Sequence, residues 1–207
     1  MGFVIGVDFD NTIASYDQLI HRVVVEWGLV GAGTAQVKKT IRDQIRLAPD
    51  GENEWQKVQA EVYGPRMAEA VLIDGVREFF ALCRSRGVRA YIVSHKTRYA
   101  NFDRSGTDLR TAALAWMEAE GFFVADGMGL SASDVFFAET RENKVSHIGR
   151  LGCTHFIDDL EEVFLEATFP AGVEKILLGN PSGRAGLDDV WSATNWGEIR
   201  DHIFGAG

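Results

Sequence analysis

The chain has 207 residues and a mass of 22.9 kDa, which is enough for a substantial hydrophobic core without disulfides or structural metals. Hydrophobic residues make up 46% of the chain and charged residues 25%, a balance that argues against a disordered protein. The 30 acidic and 21 basic residues give a net charge of -9, which argues against a protein that binds nucleic acid through its phosphates.

Short apolar runs alternate with amphipathic stretches over most of the chain. The runs have the length and composition of buried strands; they are residues 3–7, 90–93, 135–137, 155–157 and 175–178. Apolar residues at helical spacing lie between them, as in the face formed by Val76, Phe79 and Phe80. The alternation predicts an α/β fold with a central parallel sheet flanked by helices.

Residues 15–72 break this alternation, because they show helical periodicity and no strand pattern. Three apolar stripes recur there at helical spacing and are separated by glycines and turns: Leu19 to Trp27, Val37 to Ile45 and Trp55 to Val62. The pattern predicts a small all-helical domain, residues 15–72, inserted after the first strand of a core formed by residues 1–14 and 73–207. The alternative, in which these helices extend a single core, stays open.

Carboxylates follow two of the predicted strands at the point where each strand ends. Asp8 and Asp10 follow the first strand, and Asp158 and Asp159 follow the run 155–157. The carboxyl ends of parallel strands share one edge of a sheet, which is where ligands of such sheets bind. Acids this close repel each other, and a divalent cation would relieve the repulsion. Oxygen ligands without a histidine or cysteine cluster favour Mg²⁺ over zinc.

Two further polar residues stand at positions that suit a binding site. Ser94 follows the run 90–93 and offers a hydroxyl that can donate to an anionic oxygen. Lys144 lies near the start of a predicted helix, where the helix dipole disfavours a cation, and this favours a functional role. Taken alone, each residue has a plainer interpretation: Ser94 as a turn residue and Lys144 as a solvated surface lysine.

These four sequence features, in their order along the chain, resemble the motifs of the haloacid dehalogenase superfamily. The superfamily pattern is DxDxT after the first strand, Ser or Thr after the second, a Lys at a helix start and an acidic pair after the fourth. The matching residues are Asp8–Thr12, Ser94, Lys144 and Asp158–Asp159. The resemblance covers essentially the whole chain and implies a Rossmann-like core, with residues 15–72 in the place of the superfamily's helical C1 cap. Asn11 departs from the pattern, since glycine is common there, and the polar stretch 95–110 has no counterpart in the general family.

The resemblance implies a phosphatase, that is, a phosphoric monoester hydrolase, that works through an aspartyl-phosphate. Asp8 would be the nucleophile, and Asp10 would protonate the leaving oxygen and then activate water. The second aspartate points to phosphoryl transfer, because dehalogenases of the superfamily lack an acid there. Mg²⁺ would be held by Asp8, the Asp10 carbonyl and Asp158. Asp159 would be a further ligand or would orient the others.

The same resemblance implies a set of phosphate-binding groups around the nucleophile. Ser94 and Lys144 would hold the phosphoryl oxygens, and Lys144 would also offset the charge of Asp8. Further candidates for contacts with the phosphate or the rest of the substrate are Phe9, Asn11, Thr12, His95, Lys96 and Arg98. We expect the last three, which follow Ser94 directly, to contact the leaving group of the substrate; a solvated polar loop is the alternative.

The expected partner is a small phosphorylated metabolite, such as a sugar phosphate, because a cap that closes cannot enclose a macromolecule. The alternatives are a phosphomutase, a nucleotide monophosphatase with its base on Trp27, Trp55 or Tyr99, and a module that binds a phosphorylated ligand without turnover. No apolar run reaches the roughly 18–20 residues of a membrane span, and no signal-peptide pattern is present. We therefore expect a cytoplasmic protein without membrane or nucleic-acid partners, and the oligomeric state stays open.

Overall fold

The structure, a computed structural model, describes residues 2–103 and 105–205. The chain forms two compact units. The core unit consists of Met1–Ile13, Leu72–Lys96 and Glu118–Gly207, and the helical unit consists of Ala14–Val71 and Thr97–Met117. Residues 1, 104, 206 and 207, which the predicted domain ranges include, lie outside the described part of the chain.

The described residues contain eight strands. In chain order they are β1 Val4–Val7, β2 Ala14–Ser15, β3 Val71–Leu72, β4 Arg89–His95, β5 Val135–Ala138, β6 His155–Asp158, β7 Glu174–Leu178 and β8 Val190–Ala193. Six of them form the sheet of the core unit in the order β5-β4-β1-β6-β7-β8, and every neighbouring pair is parallel. The short strands β2 and β3 form a separate two-stranded sheet.

Eight α-helices are present in the same residues. They are α1 Asp17–Glu26, α2 Lys38–Ile45, α3 Gly51–Tyr63, α4 Val76–Ser85, α5 Leu109–Ala119, α6 Arg141–Arg150, α7 Glu161–Phe164 and α8 Trp196–Phe204. The predicted α/β architecture with a central parallel sheet and flanking helices is confirmed, and all five predicted strands are present. Both β8 and α8 were absent from the prediction, and so was the pair β2 and β3 at the two ends of the 15–72 segment.

The side chains are most fully enclosed at the centre of the sheet, in β1 and β6. Every residue of β6 is buried, and Phe156 and Ile157 have no exposed surface. Gly6 in β1 permits this packing, because a Cβ atom at that position would lie 2.6 Å from Cδ2 of Phe156. The close contact between the β1 backbone and the Phe156 ring therefore requires glycine in the middle of the strand.

Most of the predicted apolar stripes of the helical unit form its interior. Leu19, Ile20, Val23 and Val24 of α1 are buried together with Ile41, Ile45, Trp55, Val58 and Val62. Trp27 and Val37 were included in these stripes, but they are 42% and 48% exposed. Both residues stand at a helix end, as the C-cap of α1 and the N-cap of α2, where the chain turns away from the buried face.

The segment 97–117 belongs to the helical unit, whereas the predicted domain ranges place it in the core. Its helix α5 turns Trp116 inward, and the indole Nε1 donates to the Ala70 carbonyl oxygen over 3.1 Å. Leu109, at the start of α5, donates its backbone N–H to the Arg98 carbonyl oxygen over 2.9 Å. Contacts between residues about fifty positions apart decide this placement, and periodicity within the segment does not reveal them. In the described ranges, no helix has the length and hydropathy that crossing a membrane requires.

Candidate active site at the carboxyl edge of the sheet

Three central strands of the core unit, β4, β1 and β6, run side by side towards one edge of the sheet. Val7, the last residue of β1, is in register with Ile92 of β4 on one side and with Ile157 of β6 on the other. The residues that follow, Asp8 and Asp158 among them, therefore lie at the same edge of the sheet. Both carboxylates are buried, with Asp8 5% exposed and Asp158 fully enclosed.

The carboxylates of Asp8, Asp158 and Asp159 form one cluster. Each contributes an oxygen atom that lies within 4.8 Å of the oxygens of the other two. Asp159 is partly exposed, so the cluster opens to solvent on its side. The side chain of Asp10 is not part of this group, and the role that was expected for it at the metal involves its backbone carbonyl.

Lys144 lies between two of these carboxylates. Its Nζ is 2.6 Å from Asp8 Oδ1 and 2.6 Å from Asp158 Oδ2. The lysine stands in the first turn of α6, as predicted, and its side chain is 2% exposed. Burial lowers the pKa of Lys144, but the charges of Asp158 and Asp8 outweigh that effect and raise it well above its usual range. The ammonium is therefore permanent, and the carboxylates of Asp8 and Asp158 offset its unfavourable position at a helix N-terminus.

The ionisation of Asp8 is controlled by its surroundings. Burial raises the pKa of Asp8, the Lys144 ammonium opposes the rise, and the charges of Asp158 and Asp10 add to it, so that the pKa of Asp8 is raised to about 7. An extra positive charge at the site would favour the carboxylate form. The donor set of three carboxylate oxygens, with no sulfur or imidazole in the group, fits Mg²⁺ better than a softer metal.

The loop after β1 connects the two acidic motifs. The hydroxyl of the buried Thr12 lies between the two motifs, with Oγ1 3.4 Å from Asp8 Oδ2 and 3.4 Å from Asp159 Oδ1. The same Oγ1 accepts a hydrogen bond from the backbone N–H of Asp159 over 3.1 Å. Asn11 adopts a left-handed backbone with φ of 62°. This conformation explains why glycine suits the position, and asparagine is one of the few other residues that tolerates it.

Ser94 is placed as predicted, near the end of β4 and beside β1. It is 1% exposed, and its Oγ has no hydrogen-bond partner among the described residues. A buried hydroxyl without a partner costs roughly 1–3 kcal/mol, and a ligand oxygen would remove that cost. This feature is the one expected of a donor held ready for an anionic ligand.

Lys96 takes a different place from the one expected. Its Nζ lies 3.0 Å from Asp10 Oδ1 and 2.9 Å from Asp10 Oδ2, with the lysine side chain 3% and the aspartate side chain 22% exposed. A polar residue of a loop that contacts the substrate should be exposed, whereas this lysine is buried against the loop after β1. Lys96 and Asp10 are 86 positions apart in the chain, and no spacing rule predicts their contact.

The remaining candidates are more dispersed. His95 is exposed, with Nε2 3.1 Å from the Glu139 carbonyl oxygen. Arg98 belongs to the helical unit, where its guanidinium pairs with Asp108 over 2.7 Å. Phe9 is fully buried, so its ring is closed to a ligand. Trp55 is 2% exposed inside the helical unit and cannot stack on a base, whereas Trp27 and Tyr99 are exposed.

One supporting residue was missed. Trp196, the first residue of α8, is fully buried, and its Nε1 donates to the Thr12 carbonyl oxygen over 3.0 Å. The indole thereby fixes the loop that carries Thr12. The sequence contains an N-cap signal for this helix at Asn195, whose side chain accepts the Glu198 N–H, but nothing that links the tryptophan to the site.

Comparison with known proteins identifies the fold. No protein-family model and no curated protein matches the sequence. Solved structures do match. A hydrolase of the haloacid dehalogenase superfamily from Ehrlichia chaffeensis has a similar structure, with a TM-score of 0.56 at 13% identity, over 98% of this chain and 96% of that one. This chain has the fold of the haloacid dehalogenase (HAD) superfamily.

Two further HAD structures agree with this assignment over the full length of the chain. A putative haloacid dehalogenase-like hydrolase from Bacteroides fragilis has a TM-score of 0.57 at 17% identity, over 96% of this chain and 100% of that one. A putative HAD-hydrolase from Bacillus subtilis, solved bound to magnesium, has a TM-score of 0.56 at 16% identity, over 99% of both chains. The HAD fold thus accommodates a sequence that shares few identical residues with these structures.

Proposed function

We propose that this protein is a Mg²⁺-dependent phosphatase that hydrolyses a small phosphomonoester through an aspartyl-phosphate on Asp8. One observation carries the proposal: the Lys144 ammonium lies 2.6 Å from both Asp8 and Asp158, in the cluster that Asp159 completes. This arrangement combines a nucleophile, a set of cation ligands and a phosphate-binding cation. The HAD fold supports it, since similar folds belong to proteins described as hydrolases, one of them bound to magnesium.

Mg²⁺ fits the oxygens of Asp8, Asp158 and Asp159, with the Asp10 carbonyl as the further candidate ligand. When bound, it supplies positive charge that reduces the repulsion between an anionic nucleophile and an anionic phosphate. It would also favour the carboxylate form of Asp8, whose pKa burial raises to about 7. The chain's own residues carry out the bond changes.

In the first step, a carboxylate oxygen of Asp8 forms a bond to phosphorus while the bond from phosphorus to the ester oxygen breaks. Asp10 gives a proton to the leaving oxygen, which departs as an alcohol. The Asp10 side chain suits this task because it is 22% exposed and outside the buried carboxylate cluster.

In the second step, Asp10 takes a proton from a water molecule, and the water oxygen forms a bond to phosphorus. The bond between phosphorus and the Asp8 oxygen breaks, which restores the Asp8 carboxylate and releases inorganic phosphate. Ser94 and Lys144 hold the phosphoryl oxygens in both steps. The Ser94 hydroxyl lacks a partner in the described part of the protein, so it can donate without losing another bond.

The experiment is phosphate release from a panel of phosphorylated metabolites, with and without Mg²⁺. The panel includes sugar phosphates, nucleotides, phospho-amino acids and small organic phosphates. Asp8→Asn is the test variant. Asp126→Asn is its matched control, because the Asp126 side chain is fully exposed in the same unit. We expect release that requires both Mg²⁺ and Asp8 and that Asp126→Asn leaves unchanged.

A complete lack of release would be followed by melting experiments with Mg²⁺ and beryllium fluoride, a mimic of the phosphoryl group. Stabilisation by the two together, far above either alone, would indicate an enzyme with a substrate outside the panel. Release that persists in Asp8→Asn would contradict the proposal. A transfer of phosphate to a sugar hydroxyl rather than to water would identify a phosphomutase.

A further inference from the structure

We propose that Lys96 is a positioning residue for Asp10: it holds the carboxylate that exchanges protons with the leaving group and with water. The inference rests on the proposed function, which it deepens. The sequence alone predicts a contact of Lys96 with the leaving group of the substrate. The structure instead places its ammonium on both oxygens of Asp10, at 3.0 and 2.9 Å.

Two contacts to one ammonium restrict how the Asp10 carboxylate can rotate. A single hydrogen bond leaves the second oxygen free to turn, whereas contacts to both oxygens hold the plane of the group. The lysine side chain is 3% exposed, and a buried ammonium is stable only beside an opposite charge. Lys96 and Asp10 therefore depend on each other, and the pair is far less screened by solvent than a surface ion pair.

Lys96 is held at both ends, by its backbone N–H and by its ammonium. Its backbone N–H donates to the Ala138 carbonyl oxygen over 2.9 Å, which continues the pairing of β4 with β5 beyond His95. Its Nζ lies 5.6 Å from the centre of the Phe9 ring, which is fully buried. The lysine thus contacts two consecutive residues of the loop after β1, and it reaches them from the end of a neighbouring strand.

The exposures of the two partners separate positioning from substrate binding. Asp10 keeps 22% of its side chain exposed, so a substrate or a water molecule can reach it while the lysine holds it. Lys96 has almost no exposed surface, so a substrate group could contact its ammonium only by displacing Asp10. The effect of Lys96 on the reaction therefore passes through Asp10.

The test is a double-mutant cycle on phosphate release. Lys96→Met removes the ammonium and keeps an unbranched apolar stem, and Asp10→Asn removes the acid. Misplacement of a catalytic group costs on the order of 100-fold. We expect Lys96→Met to lower kcat roughly 30- to 100-fold and to change KM by less than about threefold. The double variant should be no slower than Asp10→Asn, because Lys96 has no effect once Asp10 is absent.

Lys175→Met is the matched control. Lys175 belongs to the same unit and is also a largely buried lysine in an ion pair, with Asp189 at 2.8 Å, but it stands near the start of β7. The kcat of Lys175→Met should stay within about twofold of wild type. Stabilisation by Mg²⁺ with beryllium fluoride shows that each variant keeps its site. If Lys96→Met does not fold, Lys96→Gln takes its place in the cycle. Lys96→Arg should recover part of kcat, since it restores the charge.

Independent losses in the cycle, or a raised KM with kcat unchanged, would show that Lys96 binds the substrate and would overturn the inference. A kcat unaffected by Lys96→Met would overturn it as well. In both cases the wild type is active and the proposed phosphatase stands. If the wild type lacks both turnover and stabilisation by Mg²⁺ with beryllium fluoride, the proposed function fails and the role of Lys96 fails with it.

Discussion

Asp8, the proposed nucleophile, illustrates at the residue scale how a buried acid opposes stability. Its usual pKa is 3.8, and burial raises it to about 7 in the folded protein. Between these values the folded state binds a proton that the unfolded state has lost. The stabilising contribution of the protonated form is therefore complete below pH 4 and is lost as the pH rises through 7. Above pH 7 the metal-free protein contains an ionised, buried carboxylate beside two others.

Asp8→Asn should therefore stabilise the metal-free protein at pH 8. Asparagine resembles the protonated acid in shape and cannot ionise, so the variant avoids a cost on the order of 4 kcal/mol, which corresponds to a pKa raised from 3.8 to about 7. At pH 5 the folded side chain is protonated but the unfolded one has already ionised, so only roughly a third of that cost is present and the difference should be smaller. Urea denaturation in EDTA at pH 5 and pH 8 measures the difference in the free energy of unfolding between wild type and variant, with Asp126→Asn as the control. Equal effects of Asp8→Asn at pH 5 and pH 8 would contradict this account.

Ser94 should show a similar opposition between activity and stability. Because its buried Oγ has no partner in the described residues, Ser94→Ala removes an unsatisfied hydroxyl. We expect stability equal to wild type or up to about 1 kcal/mol higher. Phosphate release should fall roughly 10- to 100-fold, since one donor to the phosphoryl group is lost.

Ser131→Ala is the matched control for this change. The Ser131 hydroxyl accepts the backbone N–H of Ser133 and so caps the turn at Ala132–Asp134. Its loss should cost about 1 kcal/mol and leave phosphate release unchanged. Chemical denaturation and initial rates of the two variants give both comparisons. A Ser94→Ala variant that loses stability without losing activity would mean that the hydroxyl has a structural role.

At the scale of elements, α8 connects the core packing to the site. Its first residue, Trp196, packs against Phe79 of α4, with ring centres 4.8 Å apart, and donates from Nε1 to the Thr12 carbonyl. The same threonine bridges Asp8 and Asp159 through its hydroxyl. A helix far along the chain thereby fixes the spacing of the carboxylates on two strands.

Trp196→Phe should lower both stability and activity. The change leaves the buried Thr12 carbonyl without this donor and opens a small cavity, at a cost of about 2 kcal/mol. Because the β1 loop gains freedom, kcat should fall several-fold. Trp191→Phe is the matched control: its ring stacks on His202 with a centroid distance of 3.8 Å, and phenylalanine can keep that contact. An equal loss of kcat in both variants would show that Trp196 has no specific role in holding the β1 loop.

Elements that bury a complete apolar run or stripe were predictable from the sequence. The strands around Phe156 and the helix faces around Val76 and Trp55 belong to this group. The segment 97–117 was assigned to the wrong unit because Trp116 contacts Ala70, a residue far away in sequence. Strand β8 was missed because three of its four residues are only partly buried, so the apolar pattern is weak.

The placement of the candidate-site residues was predictable to the extent that they stand at strand ends. Parallel strands bring such ends to one edge, which is why Asp8, Ser94 and Asp158 could be found without coordinates. The pairing of Lys96 with Asp10 could not be predicted in this way. It depends on the direction of a long side chain, and sequence spacing does not encode that direction.

For the whole molecule, protons and Mg²⁺ should compete for the same carboxylates. The chain has a net charge of -9, which attracts a divalent cation in general, but the pH dependence should come from Asp8. Its pKa of about 7 means that Mg²⁺ must displace a proton at pH 6 and need not do so at pH 8. Apparent affinity should therefore rise up to about tenfold per pH unit below 7 and level off above it.

Titration calorimetry at pH 6, 7 and 8, each in two buffers with different heats of ionisation, measures both the affinity and the protons released. We expect close to one proton released per Mg²⁺ at pH 6 and close to none at pH 8. Asp158→Asn should abolish tight binding at every pH, because it removes a ligand and leaves Lys144 beside Asp8. The exposed control Asp126→Asn should follow wild type. An affinity that does not change from pH 6 to pH 8 would mean that the proton held by Asp8 is not the one that the metal displaces.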